Sequence, residues 1–262
     1  MRIGLVGVGH LGKIHLRCLL KTKFIVEGFF DTNQEVSDQI ATEYNVKAFR
    51  DFDSMLDAVD CIDIVSPTVF HFEIAKKAII KGKHIFIEKP LTETTEQARE
   101  LVSLAIKDNV IVQVGHVERY NPAIRSMSGV KFNPKFIEGH RLAMFNPRGT
   151  DVSVVLDLMI HDLDIILSLI KSEVKNVSAN GVCIVSNTPD ICNARIEFVN
   201  GSVANLTASR ISLKNMRKIR IFQDDAYISL DFLDKDAQVI KIENHIEGDN
   251  FSGMTMHTNT GL

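Results

Sequence analysis

No stretch of this 262-residue chain approaches the roughly 18 apolar residues expected of a membrane span. Cysteine is scarce: the four (Cys18, Cys61, Cys183, Cys192) have neither CxxC nor zinc-ligand spacing. They read as small buried hydrophobes in a reducing compartment, and no metal site is expected. A surplus of positive charge is also missing. At a net charge of -3 there is no general electrostatic reason to expect nucleic acid or a membrane surface as partner. Met1-Arg2 runs straight into an apolar strand pattern instead of a cleavable leader, so the cytoplasm is the expected location. What remains, 45% hydrophobic and 24% charged, is the composition of an ordinary globular protein of two domains or one large α/β domain.

Ile3 to Val6 forms a strand pattern and leads into Gly7-Val8-Gly9-His10-Leu11-Gly12, after which helical spacing begins at once. Strand, glycine turn and helix together are the context in which G-x-G-x-x-G carries meaning. Gly7 permits the turn, Gly9 lets backbone approach a pyrophosphate, and Gly12 allows close helix–strand packing. The helix beginning at His10 and Leu11 would offer its N–H groups and positive dipole end to the anion. A second strand, Phe24 to Phe30, ends on Asp31, about 20 residues past the glycines and placed to accept both ribose hydroxyls. The same carboxylate would repel a 2′-phosphate, which favours NAD over NADP. The competing role for Asp31 is an ordinary helix N-cap in Asp31-Thr32-Asn33.

Short strands and helices then alternate: Val46 to Phe49, Phe52 to Ala58, Cys61 to Val65, His71 to Lys81, His84 to Ile87, Glu93 to Lys107 (capped by Thr92) and Val110 to Val114. This predicts a doubly wound parallel sheet of Rossmann type over residues 1–118. Gly7, Asp31, Ser66, Glu88 and Gly115 would meet at its carboxyl edge, where ligands bind in such sheets. Lys89 would stand at the ligand's edge. Pro90 stops the ladder, restricts Lys89 to extended conformations, and is the residue type that tolerates a cis peptide. The plainer alternative is a solvated charged turn; for His71 it is an exposed residue of a first helical turn.

Beyond Glu118-Arg119-Tyr120-Asn121-Pro122 the texture changes, and residues 119–262 are expected to form an α+β domain. Asn121 would cap a short helix with Pro122 in its first turn. Phe136 to Phe145 alternates like a strand, Asn146 to Thr150 reads as a flexible polar loop, and Asp151 to Ile170 as one long helix. On that helix Asp157 and His161 stand at i, i+4, so carboxylate and imidazole share a face, as in many general-base pairs. The competing reading is a solvated polar stripe, though the apolar neighbours Leu156, Leu158, Met159 and Ile160 point to a packed helix with its polar groups in a cleft. Six strand patterns follow from Val174 to Glu243 without an intervening helix, with turn signals at Asn200-Gly201 and Asp224-Asp225. They predict an open antiparallel sheet with helices on one face. With Ile, Val and Phe on both sides, its other face would pair subunits into a homodimer or homotetramer. Asp249 to Leu262 reads as loop.

In order along nearly the whole chain, these residues resemble the Gfo/Idh/MocA family of nicotinamide-dependent oxidoreductases. The matching runs are Gly7 to Gly12, Asp31, Ser66-Pro67-Thr68-Val69-Phe70-His71, Gly82-Lys83-His84, Glu88-Lys89-Pro90-Leu91 and Leu156 to Asp162. The resemblance implies that Lys89 is the catalytic lysine, His161 the acid/base with Asp157 nearby, and that Ser66, Pro67, Thr68, His71 and Glu88 line the cofactor. Gly115 to Pro122 further resembles the segment of family members that act on UDP-N-acetylhexosamines at C3. There Arg119, Tyr120 and Asn121 would reach a diphosphate or sugar, because a guanidinium suits paired phosphate oxygens. Family members usually continue past the sheet with a final helix and strand, so the chain is expected to be C-terminally incomplete. The rival functions are oxidation of a free polyol or inositol on the same fold, and a non-catalytic NAD-binding sensor.

Overall fold

β-Branched and aromatic residues dominate six short strands in the first half of the chain: β1 (Arg2–Val6), β2 (Ile25–Phe30), β3 (Ala48–Phe49), β4 (Cys61–Ile64), β5 (His84–Ile87) and β6 (Val112–Val114). A computed structural model describes residues 1–146, 152–247 and 250–259, with side chains as far as Lys241. Two compact units, Met1–Gly115 and His116–Leu262, divide it.

In the first unit every strand pair is parallel and the order is β3-β2-β1-β4-β5-β6. The connections are α1 (His10–Leu19), α2 (Gln34–Tyr44), α3 (Phe52–Ala58), α4 (His71–Ile80) and α5 (Thr95–Lys107). Helices pack on both faces, giving two cores: Leu5, Val8, Leu16, Phe29 and Ile40 on one side, and Met55, Leu56, Ile62, Ile64, Ile79 and Ile87 on the other. Register is what builds the site. Phe30 pairs with Val6, Val6 with Ile64, Ile64 with Ile87 and Ile87 with Val114. The residues that follow this row, Asp31, Gly7, Val65-Ser66, Glu88 and Gly115, therefore lie along one edge. Strand order reverses between β1 and β4, and such a reversal opens a crevice at the carboxyl ends. One cap differs from expectation: α5 starts after Thr94, whose hydroxyl accepts from Gln97 N in a capping box, two residues past Thr92.

The second unit contains α6 (Pro122–Arg125), β7 (Phe136–Leu142), a π-helical turn (Val155–Met159) running into α7 (Ile160–Leu169), and then β8 (Val174–Val182), β9 (Ile191–Phe198), β10 (Val203–Ser209), β11 (Met216–Gln223), β12 (Ala226–Asp231), β13 (Asp236–Glu247) and β14 (Asn250–Asn259). They form one sheet, β14-β13-β12-β11-β7-β10-β9-β8. Both turn signals sit between paired strands, with Gly201 at φ +85°. Three expectations need correction. The sheet is not wholly antiparallel, because β7 and β10 run parallel in its middle. The tail expected as loop pairs with β13 over Asn250–Asn259: an edge strand is held by ladder hydrogen bonds and needs little apolar periodicity. The helix expected from Asp151 has its start in the π turn, which tightens into α7 only at Ile160. Most of the loop expected over Asn146 to Thr150 lies outside the described residues.

The inner face of this sheet carries Ile137, Ile196, Leu206, Ile219 and Ile228 against Met159, Ile165 and Ile166. The outer face is polar in its centre, with Glu138, His140, Asn193, Arg195, Asn205 and Thr207 side by side. Arg220 pairs with Glu138 at 2.8 Å and Arg195 with Glu197 at 3.1 Å. The premise of an apolar surface on both sides thus fails over the central strands. An interface on that face would be built mainly from polar groups.

Candidate active site

The three turn glycines are required for different reasons. Gly7 has φ +90°, which side chains disfavour. At Gly12 a Cβ would lie 2.0 Å from the carbonyl oxygen of Gly7, so the helix could not approach the strand. Gly9, the N-cap of α1, has φ −64° and ψ −163°, and a Cβ there would meet no atom within 4 Å. The chain's own packing therefore does not demand a glycine at position 9; the open space beside it does, if something must lie against the backbone. A cleft of about 680 Å³ opens there, lined by Gly7, Gly9, His10, Leu11, Asp31, Ser66 and Pro67, with Phe30, Phe70 and Ile74 among its apolar walls.

Asp31 is not the helix cap. Its Oδ2 accepts from Val8 N at 2.8 Å and its Oδ1 from Asn33 N at 2.9 Å, while Asn33 caps α2 by accepting from Val36 N. The carboxylate thus braces the glycine turn, and each oxygen keeps a second lone pair for a ribose hydroxyl. The hydroxyl Oγ of Ser66 is buried without a hydrogen-bond partner among the described residues, on the wall of the same cleft. An open glycine, a carboxylate with lone pairs to spare and an unsatisfied buried hydroxyl fit a dinucleotide.

Five residues expected to line the cofactor, Gly12, Thr68, His71, Glu88 and Lys89, are not on the wall of this cleft. Gly12 lies behind the turn, and Thr68 opens a 3₁₀ turn over Thr68–Phe70. His71 is neither exposed nor in the cleft. It is 1% exposed, with Nδ1 2.9 Å from the carbonyl oxygen of Pro90 and Nε2 2.9 Å from that of Ser66. It ties the end of β4 to the segment after β5. Glu88 is buried, Lys89 follows it directly, and the Lys89–Pro90 peptide is cis.

A buried ionic group that no sequence motif marks lies beneath this segment. His15 on α1 places Nδ1 2.9 Å from Asp63 Oδ2 and Nε2 3.3 Å from Glu88 Oε1. Burial opposes a charge on His15, but the hydrogen bonds to Asp63 and Glu88 outweigh it and push its pKa up to about 10. Burial likewise raises the Asp63 carboxyl, against the pull of His15. The available signal was an aspartate inside Cys61-Ile62-Asp63-Ile64, a strand buried at every position.

In the second unit Asp157 lies in the π turn and His161 in the first turn of α7, both half-buried. The shared face expected for this pair assumed α-helical spacing; a π turn, closed by i→i+5 bonds, is a local departure often seen at functional sites. Asp157 lines a cleft of about 530 Å³ with Met144, Phe145, Asn146, Arg210 and Asn215. Beside His161, Asp162 is 2% exposed and accepts from Arg141 Nε at 3.0 Å and Nη2 at 2.8 Å. Arg141 Nη1 lies 3.4 Å from Glu118, so this buried cluster fixes the rotation of α7 against β7.

The three residues expected to reach the substrate diverge. Arg119 gives Nε and Nη2 to Asp164 at 2.7 and 2.5 Å, and that hydrogen bonding raises its pKa against partial burial. Its charge is largely matched within the chain, which weakens any grip on a diphosphate. Tyr120 is 70% exposed. Asn121 caps α6 through Ala123 N and donates to Glu118 and to the carbonyl of Phe232, so its side chain is spent on structure. Among the described residues no three His, Cys, Asp or Glu side chains are grouped to hold a metal. No described helix is long and apolar enough to cross a membrane.

Comparison with known proteins gives this geometry its context. Residues 1–116 match the family described as oxidoreductase, NAD-binding Rossmann fold, and residues 124–229 match the GFO/IDH/MocA C-terminal domain. The UDP-N-acetylglucosamine 3-dehydrogenase of Acidithiobacillus ferrooxidans is 40% identical over 240 residues, covering 91% of this chain and 76% of that protein. A solved structure of that enzyme, GnnA, superposes with a TM-score of 0.89 at 37% identity, covering 99% of this chain and 82% of the other. The scyllo-inositol 2-dehydrogenase (NAD(+)) of Bacillus subtilis is 28% identical, covering 81% of this chain and 68% of that enzyme. With family models matched over both halves of the chain and a relative 40% identical over 91% of it, the chain belongs to the Gfo/Idh/MocA family of NAD-binding oxidoreductases.

Proposed function

We propose that the protein oxidises a secondary alcohol of a nucleotide sugar, the C3 hydroxyl of a UDP-N-acetylhexosamine, with NAD. The observation that carries this is the register of the parallel sheet. It delivers Lys89 one residue past the edge on which Gly7, Asp31 and Ser66 lie. Similarity to the Acidithiobacillus enzyme supports the substrate class.

Gly9, Asp31, Ser66 and the first turn of α1 would hold NAD, which when bound supplies the hydride acceptor. The rest of the task falls to side chains. Lys89 donates a hydrogen bond to the reacting hydroxyl oxygen and stabilises the negative charge that grows there as the proton leaves. His161 takes that proton, as an imidazole can near neutral pH, and Asp157 orients it. The cleft at Asp157 offers carboxylate and amide groups, the partners sugar hydroxyls use. Arg119, held by Asp164, is left out of the substrate grip in this reading. The four free cysteines support a reducing, cytoplasmic setting. Pairing of subunits through the polar outer face of the second sheet belongs to the same reading, and light scattering at low and high salt tests it.

The functional test is a panel of UDP-sugars, free inositols and polyols with NAD, followed by absorbance of reduced nicotinamide. Signal from UDP-N-acetylglucosamine or its epimer is expected, and Lys89→Met and His161→Asn are expected to abolish it while NAD still binds. Signal from inositols alone would replace the substrate. Bound NAD with no turnover on any alcohol would favour a sensor.

A further inference from the structure

Beneath the sheet edge, on the face shared with α1, lies a cleft of about 520 Å³ lined by Ile3, Ile14, Leu19, Phe24, Ile85 and Phe86, and at its floor stand His15 and Asp63. Three ionisable groups in such surroundings are a poor way to gain stability. Replacing a buried ionic cluster by packed apolar residues is commonly neutral or favourable by about 1–4 kcal/mol. Asp63 makes the point sharply: it is 3% exposed, sits mid-strand between Ile62 and Ile64, and leaves Oδ1 without a hydrogen-bond partner among the described residues. The arrangement calls for a role other than packing.

We propose that His15 is a positioning residue for Lys89: anchored on Asp63 of β4, it clamps the Glu88 carboxylate at the end of β5 and so fixes the backbone that presents the lysine. Glu88 Oε1 lies 3.3 Å from His15 Nε2, and its Oε2 accepts from Lys89 N at 3.2 Å. From the other side Gly115 leaves just enough room, since a Cβ there would come 2.7 Å from Glu88 Oε1. Past the lysine, the His71 ring is wedged between the carbonyl oxygens of Pro90 and Ser66, 2.9 Å from each. Lys89 is therefore gripped between two imidazoles, one through the residue before it and one through the residue after. The groups facing His15 are Asp63 and Glu88; Cys18, Cys61, His84 and the Met1 amine are the other titratable groups around the cleft. With a carboxylate at each ring nitrogen, the imidazole keeps both protons through the neutral range and donates from both.

The proposal rests on the role given to Lys89, and the test separates the two. In His15→Gln the cation between Asp63 and Glu88 is gone, and each of these buried carboxylates takes up a proton more readily than beside the imidazolium. Turnover is expected to fall about 10- to 100-fold, the scale of a misplaced catalytic group, with NAD affinity nearly unchanged. The ratio of variant to wild-type kcat should itself rise with pH, a limb added to the one that His161 as base gives both proteins. His15→Gln/Asp63→Asn, with one carboxylate removed, should lose that limb. A purely structural role predicts equal loss at every pH, and that result, or kcat within twofold of wild type, overturns the proposal. If His15→Gln fails to bind NAD, Asp63→Asn decides: lower kcat with NAD affinity kept supports the clamp, and unchanged kcat overturns it. If wild type turns over no alcohol, the dehydrogenase reading fails by itself. The clamp is then read from the Lys89 backbone amide in ¹⁵N spectra, which must move between wild type and His15→Gln.

Discussion

Alanine at Gly9 and alanine at Gly12, three residues apart in one turn, should fail in opposite ways. At Gly12 the new Cβ would sit 2.0 Å from the Gly7 carbonyl oxygen, against an ordinary contact of 3.4 Å or more, so backbone must shift by about 1.4 Å. Overpacking of this kind costs about 1–3 kcal/mol. At about 2 kcal/mol the first unit's melting temperature should drop by roughly 5–10 °C. At Gly9 the backbone angles are open to alanine and no atom lies within 4 Å of the Cβ, so stability should change by no more than about 0.5 kcal/mol. The methyl group would instead occupy the space where a pyrophosphate meets the α1 N-terminus. Loss of that approach should raise the Kd for NAD at least about tenfold, or 1.4 kcal/mol. Thermal melts followed by circular dichroism, with NAD titrated by calorimetry, measure both quantities on the same samples. Unchanged NAD affinity in Gly9→Ala, or an unchanged melt in Gly12→Ala, would refute the division of labour between these glycines.

Asp31→Ser should weaken NAD and narrow its preference over NADP, because the charge that repels a 2′-phosphate is gone; the ratio of kcat/KM for the two cofactors measures it. Asp162→Ala leaves the buried Arg141 guanidinium with only the longer contact to Glu118 and should cost the second unit about 3 kcal/mol, read by urea unfolding. Asp190 accepts from the hydroxyl of Ser186 and from the backbone N–H of Ile184, Val185 and Ser186, which together hold its carboxyl well below the ordinary range. A depressed folded-state pKa stabilises above the unfolded value of about 3.9 and is lost as pH falls. Melting curves of wild type and Asp190→Asn should therefore differ at pH 7 and converge in acid.

Local signals carried the first unit far. Glycine spacing, an acidic residue ending the second strand and strands alternating with helices each depend on a few neighbouring residues, and each appears where expected. What the pattern could not supply is contact between distant elements. His15, Asp63 and Glu88 come from one helix and two strands, and nothing in any one of them names the others. His71 shows the same limit: its position in the first turn of α4 was legible, whereas its two carbonyl partners arise from the fold. In the second unit, spacing alone cannot distinguish a π turn from an α-helix around Asp157. The outermost strand escaped for the opposite reason, since ladder pairing asks little of side chains. Arg119 was expected to reach a diphosphate or sugar from its segment alone, which does not reveal that its partner Asp164 lies 45 residues away.

The parallel pairing of β7 with β10 has a consequence for how the second unit is made. β7 sits between β10 and β11, so both of its edges are satisfied by chain that leaves the ribosome much later, after α7 and two further strands. Until then a strand with two open ladders is exposed to any other chain nearby. Newly synthesised protein should be most prone to aggregate in this interval, and refolding of the second unit should lag that of the first.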